Sequence, residues 1–340
     1  MKRSIRWIDD KVAVSRMPLP FEVERFAKGF SSVVVLVTPE ELSYDMGMWN
    51  RFGVKEVYHT PVRDLHAPSL LQLYKTVKFI MEKPGKVLVH CVGGIGRSGT
   101  VAASYLAAKG HPDPVEAIRK NGAFLTVPQS RIVDIFTYIT RNLGMHALNK
   151  CYFIGEKYGF GRGEEHAFKV LELAVDLERQ MCILNQSQKA ALAAASLLHD
   201  IGVSSGGGRG HHRETLRLLQ ADENRLPLEA ALGADVYELA AWTAYHHRAE
   251  TDPLNCKQTP SHLKESLVLT AGILRLADAL DHGLNQAVTS VTVEGDGDFT
   301  ITVYGEHHMA DSLKLSLKKA EEKASLIRNV FNVTLNLKII

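Results

Sequence analysis

The segment His90-Cys91-Val92-Gly93-Gly94-Ile95-Gly96-Arg97-Ser98-Gly99 places a thiol, several glycines and a guanidinium in one short stretch. Set between an apolar strand and a helix, such a turn lets successive backbone N–H groups converge on one point, a nest for an anion. The helix N-terminus adds partial positive charge at that point. The same charge favours the thiolate form of a cysteine, which is its nucleophilic form. Arg97 can grip two phosphate oxygens in a bidentate fork, which a lysine cannot do. Ser98 can donate a hydrogen bond to the thiolate as it leaves a phosphoenzyme. The chemistry implied is attack on phosphorus by Cys91, with Val92, Gly93, Gly94, Ile95, Gly96 and Arg97 as the phosphate cradle. No Gly-Lys-Ser/Thr follows the glycines, so a Walker-type nucleotide loop is excluded.

The leaving oxygen must take a proton from a carboxylic acid on another segment. Asp64, in Pro61-Val62-Arg63-Asp64-Leu65-His66-Ala67-Pro68-Ser69, follows a strand and opens a loop before a helix. There a carboxylate can swing over the phosphate loop. Asp45 is the weaker alternative, further from a strand end.

A second constellation lies in the other half of the chain. His166 is in helical phase with Val170, Leu173 and Leu177, and His199 with Ala195 and Leu192. His246 is in phase with Trp242 and Leu239, and Asp278 with Leu274, Ala271 and Leu267. A carboxylate on an apolar stripe is costly unless something compensates it. Polar residues on four inward faces suggest one common point inside a bundle, and a divalent metal explains it economically.

The His90–Ser98 segment resembles the protein tyrosine and dual-specificity phosphatase family, whose signature is HCxxGxxR followed by Ser or Thr. The resemblance implies a cysteinyl-phosphate intermediate with no cofactor, Asp64 as the acid and Gln129 as the residue that orients the hydrolytic water. The Asp-x-x-Ala-Pro-Ser context is similar to archaeal-type small phosphatases. Members that prefer highly phosphorylated inositols or lipids often carry Lys or Arg inside the loop. Val92 to Gly96 carry neither, which points to phosphotyrosine or other phosphoprotein substrates.

The order His166, His199-Asp200, Asp278 resembles the HD superfamily of metal-dependent phosphohydrolases. The wider context, from about Glu164 to the end, is similar to the C-terminal domain of the exopolyphosphatase/guanosine-pentaphosphatase family. By that resemblance His166, His199, Asp200 and Asp278 would hold one ion. His211 or His212, with His246 or His247, would add a second bridged by Asp200. The expected ion is Mn, Fe, Zn or Mg, and mixed His/Asp ligation favours a transition metal. Arg209, Arg213 and Arg248 would suit an anionic substrate. The resemblance also carries an alternative: in those relatives this domain can be a module that binds nucleotide or polyphosphate and does no chemistry. The thiol site would then serve a phosphorylated protein or an inositol, nucleotide or other small-molecule phosphate.

The elements that must position these residues follow from periodicity. Strands are expected at 32–37, 54–58 and 86–89, with helices at 70–81, 98–109, 114–120 and 130–143. Strands alternating with helices imply an α/β domain with a mainly parallel sheet. Beyond it, helices are expected at 164–180, 187–200, 214–219, 234–244 and 261–280. A hairpin at 288–304, a helix at 311–329 and a closing strand at 333–339 complete a mostly α-helical domain with a small β tail. The 340-residue length favours two domains, expected as 1–146 and 147–340. The apolar fraction of 45%, charged fraction of 23% and net charge of +2 indicate a globular chain with no nucleic-acid or membrane partner. Four cysteines without a CxxC pair, no leader peptide and no long apolar run indicate a reduced, cytoplasmic setting.

Overall fold

The computed structural model describes residues 5–206, 208 and 210–339; Arg209 lies outside them. The chain forms two compact units that divide between Thr137 and Tyr138.

The first unit is built on a five-stranded sheet. Its strands are β1 (Ile5–Trp7), β2 (Val12–Ser15), β3 (Ser32–Val35), β4 (Glu56–His59) and β5 (Val87–His90). The order is β1-β2-β5-β3-β4, with only β1 antiparallel to its neighbour. Val33, Val34, Val35, Leu88 and Val89 are fully buried, as a parallel sheet covered on both faces requires. The helices are α1 (Val23–Ala27), α2 (Gly47–Arg51), α3 (Leu70–Glu82), α4 (Arg97–Ala108), α5 (Pro114–Lys120) and the first part of α6 (Val127–Asn142), within which the division falls. A reciprocal cap starts α3: Ser69 Oγ accepts from Gln72 N, and Gln72 Oε1 accepts from Ser69 N, each at 3.1 Å. Asp113 and Pro114 start α5 in the same economical way. The α/β fold with a mainly parallel sheet is as expected. Strands β1 and β2 are additions to the expected set.

The second unit contains α7 (Met145–Lys157), α8 (Glu164–Met181), α9 (Gln186–Leu198), α10 (His211–Gln220), α11 (Asp222–Leu232), α12 (Ala234–Tyr245) and α13 (Lys264–Leu280). α8 packs on α9 and α13, and α9 on α12. Leu171, Leu173, Ala191, Leu267 and Leu274 are among the buried residues of these helices. The tail is a three-stranded sheet of β6 (Val288–Glu294), β7 (Asp298–Gly305) and β8 (Asn332–Ile339), with α14 (Ala310–Lys323) and α15 (Ser325–Arg328) between the last two. β6 and β7 form the expected hairpin, whose turn uses positive φ at Gly295 and Gly297. β8 lies parallel to β7, a pairing that needs a helical crossover. The single helix expected at 311–329 is two, broken at Ala324. α7 and α11 were not expected. Among the described residues no helix is long and apolar enough to cross a membrane.

Candidate active sites

Cys91 follows the last residue of β5, and Arg97 opens α4, so the phosphate loop spans strand end to helix start. Gly94 N donates to Cys91 Sγ at 3.2 Å, and Ser98 Oγ lies 3.4 Å from the same sulfur. From outside, Met17 N donates to Val92 O at 3.0 Å, and Arg6 donates to Gly94 O. A trans peptide points its N–H opposite to its C=O. Holding those carbonyls outward therefore turns the N–H groups of Gly93 and Ile95 inward. Gly94 has φ +71, and a Cβ on it would stand 2.5 Å from Arg16 N. Only glycine fits there.

Arg97 is 2% exposed and strongly held. Nη1 donates to Glu41 Oε2 and to Val62 O, each at 2.7 Å, and Nη2 donates to Glu41 Oε1 at 2.9 Å. These bonds engage the end of the guanidinium and one flank. The Nε–H and the second Nη2–H form the other flank, a side-on fork suited to two oxygens of one phosphate. Asp64 Oδ1 lies 3.2 Å from Nη2. Glu41 is fixed in turn by the Thr38 backbone N–H, which donates to its Oε2 at 2.8 Å. Asp45 instead pairs with Arg51 and accepts from Gly47 N. Gln129 is buried against the loop, where a Cβ on Gly96 would stand 3.1 Å from its Oε1. Its amide donates to His66 O at 2.9 Å and accepts from Thr126 N at 3.1 Å. The segment thus ties down the loop that carries Asp64. His90 is buried, and its Nε2 lies 2.6 Å from Tyr44 Oη.

In the second unit, one ligand atom each from His166, His199, Asp200 and Asp278 lie within 4.8 Å of one another. Asp200, His211 and His247 form a second such group. Asp200 faces both, Oδ2 toward His199 at 3.5 Å and Oδ1 toward His211 at 3.0 Å. The imidazoles are oriented alike. His199 Nδ1 donates to Ser196 O at 2.9 Å, His211 Nδ1 to Gly208 O at 2.9 Å, and His247 Nδ1 to Ala244 O at 2.6 Å. A carbonyl can only accept, so each Nδ1 carries a hydrogen and each Nε2 is the nitrogen turned to the carboxylates. His166 Nδ1 donates to Asp281 Oδ2 at 2.8 Å. Nε2 of His211 and Nε2 of His247 lie 2.9 Å apart. Nε2 of His166 and of His199 are buried without hydrogen-bond partners, and Asp200 Oδ2 is buried with Arg162 Nε 2.9 Å away. Buried imidazole nitrogens and carboxylate oxygens crowded in this way fit a bound cation, and the Nδ1 bonds are the usual outer support of metal-ligating histidines. His212 and His246 stand outside both groups. His212 Nδ1 is 3.8 Å from Glu250, and His246 Nε2 is 2.8 Å from Thr259 Oγ1.

Residues 25–111 match the family model described as a polymorphic toxin system DSP-PTPase phosphatase, and residues 163–283 match that of the HD domain. The chain joins a DSP-type phosphatase domain to an HD domain. The phosphatase domain is similar to cyclin-dependent kinase inhibitor 3 of Sus scrofa, 30% identical over 123 residues, 32% of this chain and 58% of that protein. It is also similar to the phosphatidylglycerophosphate phosphatase PTPMT2 of Arabidopsis thaliana, 32% identical over 31% of this chain and 50% of that protein. The chain thus spans little more than half the length of these curated relatives. The crystal structure of Tk-PTP in its active form is 38% identical, covering 40% of this chain and 98% of that one, with a TM-score of 0.38.

The electrostatics of the HD domain follow from its burial. Burial alone would lower the His166 pKa, but Asp278 and Asp281 outweigh it and hold the ring up at about 9. Without a metal, then, His166 carries a proton facing Asp278, and a metal ion would displace it. Burial pushes His247 down to about 4 and His246 to about 3. The Asp200 and Asp278 carboxyls stay well below their ordinary range, because His199 and Lys323 respectively outweigh burial. The sequence reading missed Glu41, Asp281, Arg162 and Lys323. Glu41 and Asp281 had a faint signal, an acid after a strand and an acid three residues beyond Asp278.

Proposed function

We propose that the phosphatase domain hydrolyses phosphate monoesters through a phosphoenzyme on Cys91. The observation that carries this reading is Arg97, buried beside the Cys91 loop, held by Glu41 and Val62 and with Asp64 3.2 Å from its Nη2. Attack by the Cys91 sulfur forms the S–P bond and breaks the P–O bond, and Asp64 donates its proton to the leaving oxygen. Ser98 then supports the departing thiolate, and water takes the phosphoryl group. The buried Gln129 amide keeps the Asp64 loop in place, and the water-orienting role remains assigned to it. The substrate read from the site is a monoester whose phosphate neighbours an apolar group, such as phosphotyrosine. Leu65, Val92, Ile95 and Val127, adjacent in chain to the reacting residues, are 68%, 41%, 43% and 85% exposed. A phospholipid headgroup is the second reading, favoured by the match to a phosphatidylglycerophosphate phosphatase.

For the HD domain we propose metal-dependent phosphate-ester hydrolysis. His166, His199, Asp200 and Asp278 would hold one ion, and Asp200, His211 and His247 a second. Such ions supply an activated water and a clamp for phosphate oxygens. The regulatory alternative keeps the same ligands and binds nucleotide or polyphosphate without turnover. Phosphate release from p-nitrophenyl phosphate by wild type, Cys91→Ser and Asp200→Ala, each with and without chelator, separates these readings. The bifunctional reading expects Cys91→Ser to lose the chelator-insensitive activity alone and Asp200→Ala the chelator-sensitive activity alone. Chelator-insensitive turnover by Cys91→Ser would refute the thiol mechanism.

A further inference from the structure

Two cations reach the carboxylates of the HD centre, and neither belongs to the motif that singled the centre out. Arg162 Nε lies 2.9 Å from Asp200 Oδ2. Lys323 Nζ pairs with Asp278 Oδ2. Each carboxylate meanwhile keeps its other oxygen on the histidines: Asp200 Oδ1 is 3.4 Å from His247, and Asp278 Oδ1 is 3.5 Å from His166. Arg162 sits in the turn ahead of α8, where a Cβ on Gly161 would stand 1.8 Å from the Asp200 carbonyl oxygen. That close approach brings the Arg162 backbone to the centre. Lys323 is the last residue of α14, so the C-terminal tail contributes directly to this site.

Both cations lie nearer solvent than the histidine cage. Their side chains are 30% and 16% exposed, against 2% for His166 and for Asp200.

Charge indicates what they are for. Asp200, Asp278 and Asp281 bring three negative charges to the centre, and Arg162 and Lys323 return two. One divalent ion tips that balance positive, and two ions make it strongly so. The ions also neutralise Asp200 and Asp278, which loosens their hold on the two side chains. A positive centre rimmed by a guanidinium and an ammonium attracts a multiply charged oxyanion and can hydrogen-bond it.

We propose that Arg162 and Lys323 are a phosphate clamp of the HD domain. They pair with Asp200 and Asp278 when no metal is bound, and with phosphoryl oxygens of the substrate when it is. The substrate class is a small molecule with an exposed terminal phosphate. This inference rests on the metal-centre reading above.

The test uses the full chain carrying Arg97→Ala, which removes phosphate binding at the thiol site. It is loaded with Mn2+ and titrated with inorganic phosphate, read by phosphorus NMR relaxation, because Mn2+ broadens only phosphate bound beside it. Mn2+ affinity is measured separately by calorimetry. Arg162→Gln and Lys323→Gln should each weaken phosphate binding about tenfold or more and leave Mn2+ affinity undiminished. Lys323→Arg, which keeps the charge, should retain the phosphate. Unchanged phosphate affinity in both glutamine variants, with Mn2+ still bound, overturns the clamp and leaves the metal centre standing. Parallel loss of Mn2+ and phosphate assigns the two residues to supporting the ligands and also overturns the clamp. Failure of the parent chain to bind Mn2+ overturns the metal reading and the clamp with it.

Discussion

Replacing Glu41 by glutamine tests how Arg97 is aimed. In wild type both Glu41 oxygens accept from the guanidinium, at 2.7 and 2.9 Å, and Val62 O holds the flank. A glutamine keeps one acceptor but turns an NH2 toward the other guanidinium N–H, donor against donor. One charge-assisted contact is lost and the fork is free to rotate off the phosphate. A hydrogen bond to a charged group contributes about 2 kcal/mol. If that energy aims the fork in the transition state, kcat/KM falls about thirtyfold. The assay is steady-state hydrolysis of p-nitrophenyl phosphate at pH 7, with thermal melting as the control for folding. Arg97 holds the Glu41 carboxyl below its ordinary range, outweighing burial. The stabilisation from that pair is therefore present above the ordinary carboxylate pKa and lost as pH falls through the folded value. Glu41→Gln should flatten that part of the acid melting profile. A kcat/KM equal to or above wild type, in a folded variant, would refute the positioning role. It would mean that the Glu41 carboxylate competes with phosphate for Arg97.

Three further outcomes are expected. Asp64→Asn should lower kcat on alkyl phosphates about a hundredfold and on p-nitrophenyl phosphate much less, since the better leaving group needs less protonation; equal loss on both would argue against an acid role. Burial pushes His90 down to about 4, so the unfolded ring takes up a proton that the folded ring refuses. Stability should fall by about 2 kcal/mol between pH 6.5 and 5 from this group, and less in His90→Gln, as read by urea unfolding. Chelated protein given Mn2+ at a hundred times its Kd should gain about 2.7 kcal/mol of stability in the HD domain, absent in Asp200→Asn. That binding should release close to one proton at pH 7.5, the one held on His166 at about 9, visible as a buffer-dependent heat.

The phosphate loop was legible because its chemistry is contiguous. Strand, glycine turn and helix start follow one another in His90–Ser98, so a local pattern carries a three-dimensional meaning. The same holds for His199-Asp200, two adjacent residues at the end of one helix. The hydrophobic periods of α3, α8, α9 and α13 likewise announced which faces turn inward. β1 and β2 left no comparable pattern: Ile5-Arg6-Trp7 has a charge at its centre, and Val12–Ser15 is interrupted by Ala13 and ends on Ser15.

What the tertiary structure decided is everything that depends on how distant elements dock. Glu41 reaches Arg97 across 56 positions, and Asp281 reaches His166 across 115. Two His-His pairs offered four candidate ligands, and all four rings are buried, so burial could not choose among them. His211 and His247 are brought to Asp200 because successive residues near a helix end point in different directions, and the packing of α10 and α12 selects which direction meets the carboxylate. Arg162 and Lys323 arrive at the same centre from a turn and from the tail, with no spacing in the chain to announce them. Sequence determined the reacting groups because chemistry is carried by residue type at short range. The folded packing determined their partners, because a side chain's field is felt through space and not along the backbone.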